Sequence, residues 1–247
     1  MKKSLILHIP HASTFIPNTE GFVVDADTLN LEMLKLTDWY TDDIFYSAAD
    51  TMIATPFSRI FCDVERFADD TQEPMASYGM GALYQKTCTG ETLRIITPEL
   101  KQQIMTEYYQ PHHNRLTEIV QQQLDVFGSA LIVDCHSFPD NPFLPFLYQN
   151  VEQPDFCIGT DLFHTPQNLI NQTIAYFQQA GFSVAINEPY NGTLVPMSYY
   201  QSNPNVQSIM IEINRKLYLK ENSNEKSEWY EILKSLVNYY LLVLKTW

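Results

Sequence analysis

No two of the four cysteines (Cys62, Cys88, Cys135, Cys157) form a CxxC pair. Spread this widely in a chain long enough to fold without covalent staples, they read as reduced thiols rather than a disulfide framework. Basic charge is also short. Fifteen Lys and Arg face 29 Asp and Glu, a net charge of −14. That balance excludes nucleic acid and anionic membranes as partners, while an acidic surface can still hold a basic pocket for a small anionic substrate. Long apolar runs are missing as well. The start "MKKSLILHIPHAS" is basic, but its apolar run breaks at His8 and Pro10, too soon for a signal-peptide core. No stretch approaches the ~18 apolar residues of a membrane span. The expected location is therefore the cytoplasm. With no repeat, low-complexity tract or Gly/Ser linker, residues 1–247 are expected to form a single domain, and a 45% hydrophobic content supplies its core.

The apolar patterning alternates strands with helices. Residues 4–9 predict a strand stopped by Pro10, and "SRIFCDVERF" (58–67) a weakly alternating second one. "ADTLNLEMLKLTDWYTDDIFYSAAD" predicts a helix, or two broken near Thr37-Asp38. Residues 71–96 read as an irregular excursion with a hairpin around Thr89-Gly90. A long helix should open on Thr97-Pro98 and close at Gly128, kinked or split by Pro111. "ALIVDCHSF" (130–138) is the clearest buried strand, and "SIMIEINR" (208–215) a second. Between them a helix runs from Thr165-Pro166 to Gly181. The tail predicts an amphipathic helix with Trp229, Ile232, Leu233, Leu236 and Val237 on one stripe. Buried strands separated by helices imply an α/β sheet covered on both faces, with ligands beyond the carboxyl ends of its strands.

Three strands end in residues with chemical capacity. The first delivers His8 or His11, the second Asp134, Cys135, His136 and Ser137, and the third Glu212, Asn214 and Arg215. Two histidines and two carboxylates at one sheet edge suit a catalytic zinc site, which takes three protein ligands and leaves one position open. A further carboxylate can then act as general base. On a strand, Asp134 shares a face with His136 and can orient its imidazole. Cys135 points to the opposite face, which disfavours a cysteine nucleophile served by His136. Each histidine taken singly is more often an ordinary hydrogen-bonded residue. Glu212, set among apolar residues, is harder to dismiss, because a buried carboxylate needs a partner.

"PHAS", "TDW", "SRIFCDVER", "DCHS" and "IEINR", in this order, resemble the blocks of the N-formylglutamate amidohydrolase family. The resemblance runs from the first strand to about Arg215. It implies a three-layer α/β/α fold with a mostly parallel or mixed sheet, like that of zinc exopeptidases and cell-wall amidases. It also implies zinc-dependent hydrolysis of a linear amide, such as the release of formate from N-formyl-L-glutamate in histidine degradation. By that analogy the metal ligands are His11, Asp38 and His136, and the general base is Glu212. His8 is then a packed or hydrogen-bonded neighbour. Arg59, Arg66 and Arg215 are candidates for gripping substrate carboxylates, since a planar guanidinium suits them. Asn191, in the "NEPYNGTLVP" loop, is a candidate pocket residue, and Asp63 and Asp134 would stand behind the ligands. His113 matches a family position, yet structural hydrogen bonding is the favoured role. His164 reads as a surface or capping residue.

The sequence departs from the family at Leu36, Tyr40, Glu65, Phe67 and the "MSYYQ" segment (197–201). The implied partner is a small anionic N-acyl amino acid, and amide hydrolysis is the firmer expectation than that one substrate. The alternatives are an amidase acting on a peptidoglycan-type amide and a non-catalytic binding protein. The oligomeric state is left open.

Overall fold

The computed structural model describes residues 4–141 and 153–245. Six strands form one sheet in the order β2-β1-β3-β6-β4-β5: β1 (Ile6–Ile9), β2 (Thr51–Ala54), β3 (Ala130–Phe138), β4 (Phe156–Gly159), β5 (Val184–Ile186) and β6 (Val206–Asn214). All pairings are parallel except β4 against β6. The helices are α1 (Ala26–Leu36), α2 (Thr41–Ile44), α3 (Pro98–Ile104), α4 (Gln110–Phe127), α5 (Gln167–Gln179) and α6 (Tyr230–Leu244). The expected mixed α/β sheet flanked by helices is present. No described helix is long and apolar enough to cross a membrane.

The period of two along each strand sorts side chains between two faces. Leu7, Ile9, Val133, Cys135, Ile209, Ile211 and Ile213 face one way and pack with Phe177 of α5 and with Leu233, Val237, Tyr240 and Leu244 of α6. Ile6, Ala130, Ile132 and Val206 face the other way, against Leu116, Ile119 and Val120 of α4. The α4-facing series continues along the chain as His8 in β1, Asp134 and His136 in β3, and Ser208 and Glu212 in β6. One face is therefore apolar to the strand ends, while the other turns polar at the carboxyl ends.

Local chemistry sets the helix boundaries. Asp25 caps α1 by accepting a hydrogen bond from Thr28 N (2.8 Å), and Thr97 caps α3 through Leu100 N (3.2 Å). α1 ends at Thr37 in extended backbone. Asp38 N then donates to His11 O (3.0 Å), which sets the two residues side by side. The long helix expected from Thr97 to Gly128 is split close to Pro111. A π-helical segment, Met105–Tyr109, separates α3 from α4, and the proline falls in the first turn of α4. α4 closes on Gly128 at φ 72°, as its glycine predicts. The expected turn around Thr89-Gly90 is present, with Gly90 N donating to Thr87 O (2.9 Å) and an antiparallel Lys86–Thr92 bridge.

Three expectations are corrected. Residues 58–67 form turns, not a strand: Ser58 O accepts from both Phe61 N and Cys62 N, and Phe57, Phe61, Cys62 and Val64 bury in a separate cluster under α3. The second strand is instead Thr51–Ala54, and the short β4 and β5 carry too little pattern to be read. In α6 the buried stripe is Tyr230, Leu233, Val237, Tyr240, Leu241 and Leu244, so Trp229 and Ile232 lie outside it at 58% and 61% exposure. Residues 246–247 of the expected tail helix lie outside the described residues. His164 is fully buried, not at the surface, with Nδ1 donating to Val206 O (2.7 Å) and Nε2 accepting from Gln201 N (2.9 Å).

Ile132 is completely buried between β1, β6 and α4. Ile132→Ala should lower the unfolding free energy by about 2–5 kcal/mol in a urea titration; an unchanged midpoint would contradict this account of the α4-facing core.

Candidate functional site

The polar ends of β1, β3 and β6 meet the segments 36–43 and 58–67 in a nearly sealed cluster. His11 is 2% exposed, Asp38 1%, His136 4% and Glu212 7%. His11 Nδ1, Asp38 and His136 present ligand atoms that lie within 4.8 Å of one another. Asp38 Oδ2 is the hub, 3.4 Å from His11 Nδ1 and 3.1 Å from His136 Nδ1.

Each imidazole is fixed from behind. His11 Nε2 donates to Asp63 Oδ1 (2.8 Å), and His136 Nε2 donates to Asp134 Oδ1 (3.1 Å). His136 Nδ1 also hydrogen-bonds Asp38 Oδ2 (3.1 Å); with the proton kept on Nε2, each Nδ1 would turn a lone pair toward Asp38. This is the carboxylate–histidine arrangement that orients metal-binding imidazoles. His11 Nδ1 is buried and has no hydrogen-bond partner among the described residues. Two nitrogen lone pairs and a carboxylate oxygen converging in a buried space repel one another unless a cation or proton sits between them. The donor set therefore fits a small divalent ion.

The carboxylates behind the histidines are pinned in turn. Arg59 places Nε (3.1 Å) and Nη2 (2.9 Å) on Asp63 Oδ2, and Tyr84 Oη adds a third bond to that oxygen (2.8 Å). Burial opposes ionisation of Asp63, but the Arg59 guanidinium and His11 outweigh it and hold its pKa well below the usual range. Asp134 gives Oδ1 to His136 and His8 and receives Leu194 N on Oδ2 (2.8 Å). That bond ties the 187–196 loop to the site.

Arg215 is committed throughout. It bonds Ser137 Oγ (3.2 Å), Ser137 O (3.0 Å), Lys35 O (2.5 Å) and Asp38 Oδ1 (2.9 Å). Burial would raise the Asp38 pKa, yet His11, His136 and Arg215 reverse the shift and keep the carboxylate ionised. Arg66 differs. Its Nε is 3.7 Å from Asp63 Oδ2 and makes no hydrogen bond, and its side chain is 21% exposed.

Glu212 stands beside His136 in the β3–β6 register. Its Oε2 is buried and has no hydrogen-bond partner among the described residues. Burial pushes its pKa up to about 8, against the lowering influence of His136.

A second group, His8, Glu65 and Asp134, also brings three ligand atoms together. Here both ring nitrogens of His8 are engaged. His8 Nδ1 is 2.8 Å from Asp134 Oδ1 and 3.0 Å from Glu65 Oε1, and its Nε2 is 2.8 Å from His112 Nε2. Burial alone would lower the His8 pKa, but the two carboxylates raise it to about 9. Burial and the neighbouring His8 push His112 down to about 2, so His8 donates and His112 accepts. Burial would lower the His136 pKa as well, but Asp134 and Asp38 raise it. What separates the two groups is geometry, because both ring nitrogens of His8 are engaged while His11 Nδ1 has no hydrogen-bond partner among the described residues.

The sequence candidates thus fall into groups. His11, Asp38, His136, Asp63, Asp134, Arg59, Arg215 and Glu212 come together, and Arg66 borders them. Asn191 is exposed on the 187–196 loop and bonds to none of the cluster among the described residues. Sequence reasoning gave no role to Glu65, Tyr84 or His112. Alternation along the first strand could have signalled that His8 faces the same way as Asp134 and His136; nothing local marked His112 as its partner.

The comparisons with known proteins agree on the kind of chain this is. It is 24% identical over 229 residues to an N-formylglutamate deformylase of Pseudomonas putida, covering 88% of this chain and 82% of that protein. Its fold matches a crystal structure of N-formylglutamate amidohydrolase from Ralstonia eutropha JMP134 with a TM-score of 0.85 at 24% identity, over 98% of this chain and 92% of the other. A gene product of Agrobacterium tumefaciens matches at TM-score 0.64 and 19% identity, over 99% and 92%. The family model of N-formylglutamate amidohydrolase matches residues 3–219, and the chain belongs to that family.

Proposed function

We propose that this protein is a metal-dependent amidohydrolase that cleaves N-formyl-L-glutamate, or a related N-acyl amino acid, to the free acid and the amine. The observation that carries the reading is the convergence of His11 Nδ1, His136 Nδ1 and Asp38 Oδ2 beside the uncompensated Glu212. Membership of the family, and the name of the Pseudomonas putida relative, support the substrate class.

His11, Asp38 and His136 would hold the ion, and zinc suits this nitrogen and oxygen set. Such an ion would polarise the acyl carbonyl and acidify a water molecule. Asp63 and Asp134 keep both imidazoles in the tautomer that offers Nδ1. Arg215 holds Asp38 in place rather than meeting substrate, because four of its five donors are spent on the protein. Glu212 takes the proton of the attacking water and returns it to the departing amine nitrogen. A neighbouring cation would favour its ionised form, which offsets the burial that otherwise keeps it protonated near neutral pH. Arg66, whose side chain is 21% exposed at the border of the cluster, is assigned to the substrate carboxylate; Arg59 serves first to fix Asp63. Asn191 is assigned to the substrate's approach, since its loop is tied to the site through Leu194 and Asp134.

A second reading concerns the amino acid. N-formylglutamate carries two carboxylates, and of the three candidate arginines Arg66 alone lacks a hydrogen bond at Nε. This favours a substrate with one carboxylate near Arg66.

The direct test is formate release from N-formyl-L-glutamate and from N-formyl derivatives of neutral amino acids. Activity should vanish with a chelator and return with a divalent ion; chelator-resistant activity, or no turnover of any of these compounds with metal, would sink the proposal. Glu212→Gln should keep its metal and lose kcat by about 10²–10⁴-fold, while His136→Ala should lose both. Metal loss in the glutamine variant would show that Glu212 is a ligand. Arg66→Met should raise KM with kcat little changed; an unaltered KM would remove Arg66 from substrate recognition.

A further inference from the structure

α6 carries two apolar stripes. The first, Tyr230 to Leu244, is buried against the sheet. The second faces away from it: Trp229, Ile232, Tyr239 and Leu242 are 58%, 61%, 62% and 57% exposed, with half-buried Leu236 between them. Steps of three and four along 229, 232, 236 and 239 are the spacing of a helix–helix seam. A helix with a second apolar stripe on its outward side leaves that stripe to be covered by something else.

The neighbouring helix extends this face. α5 lies beside α6: Tyr176 Oη donates to Leu236 O (2.7 Å), and the Tyr176 and Tyr239 rings stack at 6.3 Å. α5, Gln167–Gln179, contains no charged residue. In α6, Lys234 is engaged by Asp43 (2.5 Å), and just past its end Lys245 is engaged by Asp50 (2.6 Å). Glu231, and Glu228 just before Trp229, are the exposed charges that remain. A chain of net charge −14 thus presents a two-helix face almost free of charge.

We infer that this α5–α6 face is the interface of a twofold homodimer, in which α6 packs antiparallel against its own copy. Charge selects the occupant. Two copies of a strongly acidic chain can meet without like-charge repulsion only through an uncharged face, and this face offers no charge pattern for an oppositely charged partner. A 3–4 stripe on a straight helix is self-complementary across a twofold axis, as an isologous contact requires. The size is sufficient. The 15 residues of α6 rise about 22 Å, and two helices span about 20 Å, so side-chain relief brings the buried area near the roughly 600 Å² per partner of the smaller specific interfaces. The face lies across the sheet from the polar cluster, and α6 lies beyond residue 219, where the family match ends.

Sedimentation of the full chain should give twice the 28.6 kDa of one copy. The Ile232→Glu, Leu242→Glu double variant should run as a monomer with unchanged circular dichroism. Ser235, exposed near the middle of the stripe, provides a second readout. Ser235→Cys should form a disulfide-linked dimer under mild oxidation, whereas Glu118→Cys on the exposed side of α4 should not. A wild type that stays monomeric up to about 100 μM, a dimer that survives the double glutamate variant, or no cross-link at Ser235→Cys would each overturn the proposal.

Discussion

A buried carboxylate must be compensated, and the site is organised around how Asp38 meets that demand. Its Oδ1 accepts from Arg215, and its Oδ2 faces the Nδ1 atoms of two imidazoles. Arg215 in turn is anchored to the carbonyls of Lys35 and Ser137, so α1, β3 and β6 are locked together through one ion pair. Replacing either partner alone would strand a charge in a region of low polarity, the costly way to disturb a buried pair. The unpartnered His11 Nδ1 and Glu212 Oε2 beside Asp38 are the open valences that a divalent ion and its water would fill.

The sheet makes this concentration of charge tolerable by confining it. Alternation sends Cys135, Ile211 and Ile213 to the α5–α6 face, where the core stays apolar to the strand ends. The same alternation places His8, Asp134, His136 and Glu212 on the α4 face, which α4 covers with His112 rather than another aliphatic side chain. The resulting hydrogen-bonded chain, His136–Asp134–His8–His112, spans two strands and a helix. Its far end fixes the near end, because His8, held at both ring nitrogens, keeps Asp134 in place behind His136.

Much of this was legible in the sequence, for definite reasons. β1, β3 and β6 are unbroken apolar runs with polar ends, so their position in the sheet and their delivery of His11, His136 and Glu212 followed from pattern. The pairing of Asp134 with His136 followed from the strand period. The 58–67 segment misled because its alternating apolar residues are buried by turns under α3, and alternation reports burial, not extended backbone. Arg215 was a candidate for substrate because sequence cannot show that the carbonyls of Lys35 and Ser137, the Ser137 hydroxyl and Asp38 occupy four of its donors. Glu65 and His112 act through contacts 57 and 104 residues away from His8, which no local signal encodes. The tail helix misled for another reason: it has two apolar stripes, and periodicity alone cannot say which one faces the core.

The central claim is that the ion belongs between His11, Asp38 and His136, and that the His8, Glu65, Asp134 group holds a proton instead. Anomalous diffraction from crystals grown with zinc separates the two directly. The account predicts a single strong peak within bonding distance of His11 Nδ1, Asp38 Oδ2 and His136 Nδ1, with His8 still hydrogen-bonded to Asp134. A peak among His8, Glu65 and Asp134, with none beside His11, would contradict it.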